Sequence, residues 1–331
     1  MRVDIEDSVI ALRRPVRTAR GDVVERNAAI VRISDEAGRQ GFGEGAPLPG
    51  WSSSTYAECR ADLRAWADRV NAIGSIDVPA PQGPEARAAA DAAHWSLRAA
   101  QSGTPLRKLL GAGPGDDEVV VNALLSEAAP IDLAAEARTA QEAGYETLKV
   151  KLGVGSDHDR ISALVDAVAP TTSVRLDANA AVALDHAEAL CRFAGDALGA
   201  RLEYVEDPTS RLADLAHLGE SVQVPLAVDE LVRTPADLDT ALGVRGIVAL
   251  IAKPAFLGGI TATQALAARA EATGIDVVIS SVYDGVTGLT SWLELAAALG
   301  NRRAHGLGTA ELLDDGSARS LIPRNGRISL R

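Results

Sequence analysis

The sequence predicts an α/β protein in which a (β/α)8 TIM-type barrel follows a small N-terminal α+β domain. From about residue 119 onward, eight short β-branched runs alternate with alanine-rich amphipathic stretches. Near-continuous apolar strands separated by helices are typical of a closed parallel sheet. Markers of the eight runs recur every 23–29 positions, the length of one strand, one helix and two short loops: Asn122, Lys149, Asp177, Glu206, Asp229, Lys253, Ser280 and Gly306.

The N-terminal region has a different pattern. Residues 1 to about 90 include alternating segments such as AAIVRISD (28–35), which predict strands, and helical spacing of apolar residues predicts helices over 54–73 and 86–103. We therefore place the α+β domain at 1–90 and the barrel at 91–309. The tail at 310–331 ends in NGRISL, which is typical of one more strand, and we expect it to complete the N-terminal domain. An open doubly wound sheet is the alternative, but no GxGxxG follows the first barrel strand.

Composition excludes several function classes. The net charge of −12 argues against a nucleic-acid partner, although a bound divalent metal could still reverse the local charge for an anionic substrate. No apolar run approaches the ~18 residues of a membrane span. The N-terminus lacks the pattern of a signal peptide, and the two cysteines have no metal-site spacing, so we expect a cytoplasmic protein. The sequence does not predict an oligomeric state.

Charged residues stand at the C-terminal ends of the predicted barrel strands, where the active site of such a barrel lies. Any one of them could be a solvated loop residue or a helix cap, but their shared register favours a site. Three carboxylates on three adjacent strands suit Mg²⁺. Only one residue of the pair Glu206 and Asp207 should point inward, and Asp207 precedes Pro208, so it could simply shape the turn. The strand ends carry Lys149 and Lys151, Asp177 and Asn179, Glu206 and Asp207, Asp229 and Glu230, Lys253, and Ser280 and Ser281.

The lysines flank the acids. Lys149 and Lys151 are two positions apart and therefore share one side of their strand, while Lys253 approaches from the other side. Crowding beside a second ammonium and a metal disfavours a charged lysine, which would help Lys151 act as a base. The pattern suggests proton removal next to a substrate carboxylate, with an enediolate stabilised by the metal. Enolase-type sites are the general example of this pairing. Counter-ion lysines and Schiff-base chemistry are the alternatives.

The segments TLKVKLG, RLDAN, VEDP, AVDE and IAKP, in this order, resemble the muconate-lactonizing branch of the enolase superfamily. This resemblance implies that the N-terminal domain caps the barrel mouth. It implies that Lys151 is the acid/base and that Lys253 lies across the site. The implied cofactor is Mg²⁺, with Mn²⁺ a possible substitute, held by Asp177, Glu206 and Asp229.

The segment GFGEGAPLPGWSSST (41–55) resembles the o-succinylbenzoate synthase group of that branch, which implies a small-molecule carboxylate substrate. Expected substrate contacts are Arg175, for which a salt bridge is the competing interpretation, together with Ser280, Ser281, Gly258 and Gly259. Asn179 and Glu230 are expected to support the metal ligands.

Two alternatives to this assignment stay open. The first is a racemase or epimerase of N-acylamino acids or dipeptides on the same scaffold. Dipeptide epimerases tend to carry an acidic DxD pair at the last strand, which here is HGLGT. The second is a barrel that binds a ligand without catalysis, against which the intact lysines and carboxylates argue.

Overall fold

The computed structural model describes residues 1–18, 21–153, 155–232, 234–300 and 302–331. The N-terminal region forms an antiparallel sheet in the order β1-β2-β3, covered by two helices. Thr55 caps the first helix through a reciprocal pair of bonds with Glu58, and Gly74 ends it in the left-handed conformation, as the sequence of 54–73 predicts. The elements are β1 (Arg2–Thr18), β2 (Gly21–Ser34), β3 (Gln40–Gly45), α1 (Tyr56–Ile73) and α2 (Pro84–Ser102).

Helix α2 packs directly on β3 because β3 carries glycines at the contact. A Cβ atom on Gly41 would lie 2.2 Å from the carbonyl oxygen of Ala93, and one on Gly43 would lie 2.0 Å from that of Ala89. No side chain fits at either position. The division that we predict at residue 90 therefore falls within a continuous helix that belongs to the packing of the N-terminal sheet.

The rest of the chain alternates strands and helices. Seven strands form a parallel sheet in the order β5-β6-β7-β8-β9-β10-β11. The elements are α3 (Leu106–Leu109), β4 (Glu118–Val120), β5 (Ala123–Leu125), α4 (Pro130–Glu142), β6 (Thr147–Lys151), α5 (Asp157–Ala167), β7 (Ser173–Asp177), α6 (Leu184–Leu198), β8 (Leu202–Glu206), α7 (Leu212–Ser221), β9 (Leu226–Val228), α8 (Pro235–Leu242), β10 (Ile247–Ala252), α9 (Pro254–Leu257), α10 (Ile260–Glu271), β11 (Asp276–Ile279), α11 (Val286–Leu299) and β12 (Arg327–Ser329).

The segment around His305 closes this sheet into a barrel. Parallel bridges join Val121 to His305 and Ser280 to Gly306, so the segment links the two edges of the sheet. The imidazole Nδ1 of His305 accepts a bond of 3.0 Å from the backbone N–H of Ile279, and burial lowers the pKa of His305 to about 4. A neutral histidine thus helps to close the barrel, and the predicted fold class is confirmed.

The C-terminal tail contacts both the N-terminal sheet and β4. Its backbone meets β1 through a bond of 2.9 Å from the N–H of Asp314 to the carbonyl of Ala11. The strand β12, however, pairs antiparallel with β4 and not with the N-terminal sheet. This pairing places Ile328 opposite Val119, and both side chains are buried. Burial of these two apolar groups favours the pairing of β12 with β4, which together form a separate two-stranded sheet.

None of the helices in the described ranges is both long enough and apolar enough to cross a membrane.

Candidate active site

A cavity lies at the C-terminal ends of the barrel strands, beneath a segment of the N-terminal domain. Its barrel wall includes Lys149, Lys151 and Lys253, and Leu48 and Trp51 of the PLPGW segment line the opposite wall. The cavity thus brings the predicted lysines together with the PLPGW segment, on which the resemblance to the o-succinylbenzoate synthase group rests.

Lys149 joins two of the predicted metal ligands. Asp177 and Glu206 are register partners on β7 and β8. The Nζ of Lys149 lies 2.9 Å from the carboxylate of Asp177 and 2.8 Å from that of Glu206. Burial opposes the charge of Lys149, but the two carboxylates outweigh it and hold its pKa well above the ordinary value. Burial and repulsion from Asp177 raise the pKa of Glu206 to about 8.

Lys253 is engaged on the other side of the cavity. Its ammonium group bonds the carboxylate of Asp229 and lies 3.2 Å from that of Glu230. Burial raises the pKa of Asp229 to about 6, although Lys253 opposes this. Glu230 is partly buried, which favours its neutral form, yet the charge of Lys253 prevails and lowers the pKa of Glu230 to about 2. Glu230 therefore contacts the lysine beside the predicted ligand Asp229.

Lys151 differs from the other two lysines. It lines the cavity, and within the described part of the chain its ammonium group forms no ion pair and no hydrogen bond. Its backbone carbonyl is held by Arg160. The strand end is therefore fixed, while the side chain of Lys151 is available to a substrate.

The carboxylate set suits a divalent ion in its donor chemistry. Asp177, Glu206 and Asp229 offer hard oxygen ligands, and the buried Oε2 of Glu206 has no hydrogen-bond partner among the described residues. As these side chains stand, no group of three His, Cys, Asp or Glu residues in the described ranges is arranged to enclose an ion. Because Lys149 already contacts two of the three carboxylates, metal binding requires that they turn from the lysines toward the ion.

Asp207 has the turn-shaping role that its position before Pro208 suggested. It has a positive φ of 40°, and its carboxylate accepts bonds from the backbone N–H groups of Asp229, Glu230 and Leu231. It thus fixes the loop after β9 that carries Asp229. In the loop after β7, the backbone N–H of Asn179 donates a bond of 3.0 Å to the carboxylate of Asp177. This bond helps to fix the side chain of Asp177.

The predicted substrate contacts divide into two groups. Ser280 and Ser281 line the cavity. Arg175 reaches its base but is 1% exposed, and its guanidinium is bonded to Glu203 at 2.7 Å and to the carbonyl of Ala304 at 2.7 Å. The structure thus has the salt bridge that we considered as the competing interpretation of Arg175.

The structure places Gly258 and Gly259 away from the other predicted substrate contacts. They connect α9 to α10 with φ angles of 95° and 104°, and they pack against α2 outside the described cavity lining. A Cβ atom on Gly259 would lie 2.7 Å from the carboxylate of Asp91. These glycines therefore permit contact with α2, and their N–H groups donate to the carbonyl of Pro254.

Sequence reasoning missed several residues at the cavity. Tyr204 and Tyr283 line it, and Tyr283 has a positive φ of 62°, which is rare for a bulky residue. Tyr204 could have been found by alternation, since it stands two positions before Glu206 and so shares its side of the strand. No sequence signal marks the conformation of Tyr283.

Comparison with known proteins agrees with this arrangement. Residues 1–111 match the mandelate racemase / muconate lactonizing enzyme N-terminal domain, and residues 132–331 match the family described as enolase C-terminal domain-like. The chain is 27% identical to the L-Ala-D/L-Glu epimerase of Bacillus subtilis (strain 168), over 91% of this chain and 86% of that protein. It is 35% identical to the o-succinylbenzoate synthase of Mycobacterium ulcerans (strain Agy99), over 56% of this chain and 56% of that protein.

Solved structures give the same result. A substrate-liganded complex of the L-Ala-D/L-Glu epimerase from Bacillus subtilis superposes with a TM-score of 0.87 at 25% identity, covering 100% of this chain and 96% of that one. The dipeptide epimerase from Enterococcus faecalis V583, complexed with Mg and the dipeptide L-Leu-L-Tyr, has a TM-score of 0.83 at 26% identity, with coverage of 95% and 91%. The chain therefore belongs to the enolase superfamily, with the N- and C-terminal domains of its mandelate racemase and muconate lactonizing enzyme members.

Proposed function

We propose that this protein is an o-succinylbenzoate synthase, a Mg²⁺-dependent lyase of menaquinone biosynthesis. It would convert 2-succinyl-6-hydroxy-2,4-cyclohexadiene-1-carboxylate to 2-succinylbenzoate by loss of water. The observation that carries this proposal is that Lys151, which has no ion pair among the described residues, lines one cavity together with Asp177, Asp229 and Lys253. The 35% identity to a mycobacterial synthase supports it, although the alignment spans about half of each chain.

The composition of the cavity wall supports a ring substrate. Leu48, Trp51 and Phe256 present apolar surface, while Ser280, Ser281 and Thr309 present hydroxyl groups. The acids in the described lining are Asp177, Asp229 and Glu230, and each contacts or adjoins a lysine. The wall away from the lysines therefore suits an uncharged ring better than a cationic amine.

The reaction can be assigned to residues of this chain. Lys151, acting as the base, removes the proton from the ring carbon that bears the carboxylate, and the bond from the adjacent carbon to its hydroxyl group breaks. The proton on Lys151 then leaves with the hydroxide as water, and the ring becomes aromatic. Asp177, Glu206 and Asp229 would hold the Mg²⁺, which supplies positive charge to the substrate carboxylate during proton removal.

Lys253 would act by position and charge. Its ammonium group is held by Asp229 and Glu230 and lies 6.0 Å from the centre of the Trp51 ring. Paired carboxylates keep it protonated, since they outweigh burial and raise its pKa. A protonated Lys253 stabilises negative charge that develops on the substrate.

The decisive experiment measures turnover of the cyclohexadiene carboxylate with Mg²⁺ by loss of its absorbance. We expect turnover by the wild type and a loss of about 10²-fold or more in Lys151→Ala, because the base is removed. Lys108→Ala is the matched control, since Lys108 lies outside the described cavity lining and its ammonium group bonds the carbonyl of Gly113. A folded wild-type protein that fails to turn over this substrate with Mg²⁺ present would exclude the synthase assignment.

Epimerisation of dipeptides is the second candidate. A 1,1-proton transfer needs one base on each side of the α-carbon, and Lys151 and Lys253 line the cavity from β6 and from the end of β10. The L-Ala-D/L-Glu epimerase of Bacillus subtilis also aligns over 91% of this chain, more than the synthase does. The two functions therefore require a direct comparison of substrates.

A further inference from the structure

A buried cluster of charged residues joins the N-terminal domain to the loop that follows β11. Arg26 of β2 is 2% exposed and Glu44 of β3 is 6% exposed, and both side chains reach the loop at 281–285. Asp284 of that loop is also buried. Charges inside a protein are costly unless each is bonded, so the partners of this cluster indicate what it holds in place.

The guanidinium group of Arg26 connects two separate segments. Its Nη1 donates to the carbonyl oxygens of Val282 and Tyr283, the latter at 2.8 Å, and its Nη2 donates to the carbonyl oxygen of Ala46. All three acceptors are backbone atoms, so Arg26 fixes chain positions and not side-chain rotamers. The planar fork of arginine spans such a set, whereas the single ammonium of lysine could not reach all three.

Glu44 holds the same loop at the start of α11. Its carboxylate accepts bonds from the N–H groups of Gly285 at 2.7 Å and Gly288 at 3.3 Å. A Cβ atom on Gly285 would lie 2.6 Å from Glu44, and one on Gly288 would lie 3.0 Å from it. The two glycines therefore leave the space that Glu44 occupies, and a carboxylate there complements the positive end of the helix.

Both segments held by Arg26 carry cavity residues. Ala46 precedes Leu48 and Trp51 in the N-terminal domain, and Val282 and Tyr283 line the wall that comes from the barrel. Arg26 itself is not among the residues that line the described cavity. Its three bonds therefore set the distance between two walls of the cavity from behind them.

We infer that Arg26 is a positioning residue that determines substrate binding by fixing the PLPGW segment against the loop after β11. The inference rests on the proposed function for its kinetic readout. Lys151 and the carboxylates stand on other strands, so loss of Arg26 loosens substrate contacts and leaves the reacting groups in place. The lost contacts stabilise the bound substrate and the transition state equally. Their loss therefore raises KM and leaves kcat nearly unchanged.

The test compares Arg26→Ala and Arg26→Lys with Arg32→Ala as the matched control. Arg32 lies on the same strand, but its guanidinium is exposed and pairs with Asp4 at 3.2 Å. We expect KM of Arg26→Ala to rise at least tenfold with kcat within threefold, and millimolar guanidinium to restore much of the loss. The KM of Arg26→Lys should lie between those of the wild type and Arg26→Ala. If the alanine variant does not fold, the lysine variant is used for the kinetic test. Arg32→Ala should match the wild type.

Hydrogen–deuterium exchange separates this inference from the proposed function, because it needs no substrate. In Arg26→Ala, or in Arg26→Lys if only that variant folds, the amides of 282–288 should exchange at least tenfold faster than in Arg32→Ala. A folded variant with unchanged exchange, with KM within twofold of wild type, or with lowered kcat and unchanged KM would overturn the inference. If the wild type lacks synthase activity, the proposed function fails, and the exchange result alone supports or overturns the positioning role.

Discussion

Lys149 and Lys151 stand two positions apart on one strand, yet their environments differ. Lys149 contacts two buried carboxylates, at 2.9 Å and 2.8 Å, whereas Lys151 has no ion pair within the described residues. The local sequence KVK does not distinguish them. Strand register does not distinguish them either, because Asp177 stands opposite Lys151 and Glu206 stands opposite Asp177. The carboxylates of both acids nevertheless reach Lys149, a contact that exists only in the folded barrel.

This contrast predicts opposite stability effects for two similar substitutions. With a chelator present, Lys149→Met should lower the free energy of unfolding by about 3–5 kcal/mol, because it leaves two buried carboxylates unpaired. Lys151→Met removes the same charge from the same strand face and should change stability by less than about 1 kcal/mol. Urea unfolding checks both values. Added Mg²⁺ should stabilise Lys149→Met more than the wild type, since the ion replaces the missing charge. Equal losses in both variants would contradict this account of Lys149.

Helix α11 begins against a carboxylate from the other domain. Glu44 on β3 accepts bonds from Gly285 and Gly288 at the N-terminus of α11. Burial and the nearby Asp284 raise the pKa of Glu44 to about 7, while the two N–H groups and Arg26 act in the opposite direction. The contact between these elements therefore titrates near neutral pH.

The folded protein holds the proton of Glu44 more tightly than the unfolded chain does. The contribution of Glu44 to stability is therefore complete below its ordinary pKa of 4.5 and is lost as the pH rises to about 7. That shift corresponds to about 3 kcal/mol. Glutamine cannot titrate. We therefore expect the free energy of unfolding of Glu44→Gln, measured relative to that of the wild type, to increase by about 3 kcal/mol between pH 4.5 and pH 8. Urea unfolding across this range, with a chelator, provides the measurement, and parallel profiles of the two proteins would contradict it.

Elements that follow a repeat could be predicted from the sequence, and contacts between elements could not. The spacing of Lys149, Asp177 and Glu206 predicts strands whose ends share one face, because each βα unit returns the chain to the same edge. The contact of Gly258 and Gly259 with α2 could not be predicted, because a glycine pair after a strand indicates tight backbone and does not identify its neighbour. The pairing of β12 with β4 could not be predicted either, because it depends on which strand still has an unpaired edge once the rest of the chain has folded.

At the scale of the whole molecule, the cavity exists only between two domains. The barrel supplies the lysines and carboxylates, and the N-terminal domain supplies Leu48 and Trp51. Under the proposed function, proton removal would depend on residues of the barrel, while the choice of substrate would also depend on the wall that the N-terminal domain supplies. This division explains why one superfamily contains both relatives named above, a synthase and an epimerase.

The choice between these activities can be predicted from the end of the closing segment. Gly306, Gly308 and Thr309 line the cavity there without a carboxylate, so a dipeptide whose ammonium group lay at this end of the cavity would find no anionic partner among these three residues. An unpaired buried charge costs about 3 kcal/mol or more, roughly 100-fold in rate. We therefore expect wild-type protein in D2O to exchange the α-proton of L-Ala-L-Glu at least about 100-fold more slowly than it dehydrates the cyclohexadiene carboxylate.

Gly308→Asp should accelerate this exchange, because it places a carboxylate at the cavity. A Cβ atom on Gly308 has no neighbour closer than 3.5 Å, so the position can accept a side chain. Gly316→Asp is the matched control, since a Cβ atom there meets nothing within 4 Å and the residue does not line the described cavity. Exchange is followed by NMR loss of the α-proton signal. Rapid exchange by the wild type, with no dehydration, would instead identify the epimerase and show that another group in the cavity pairs with the ammonium.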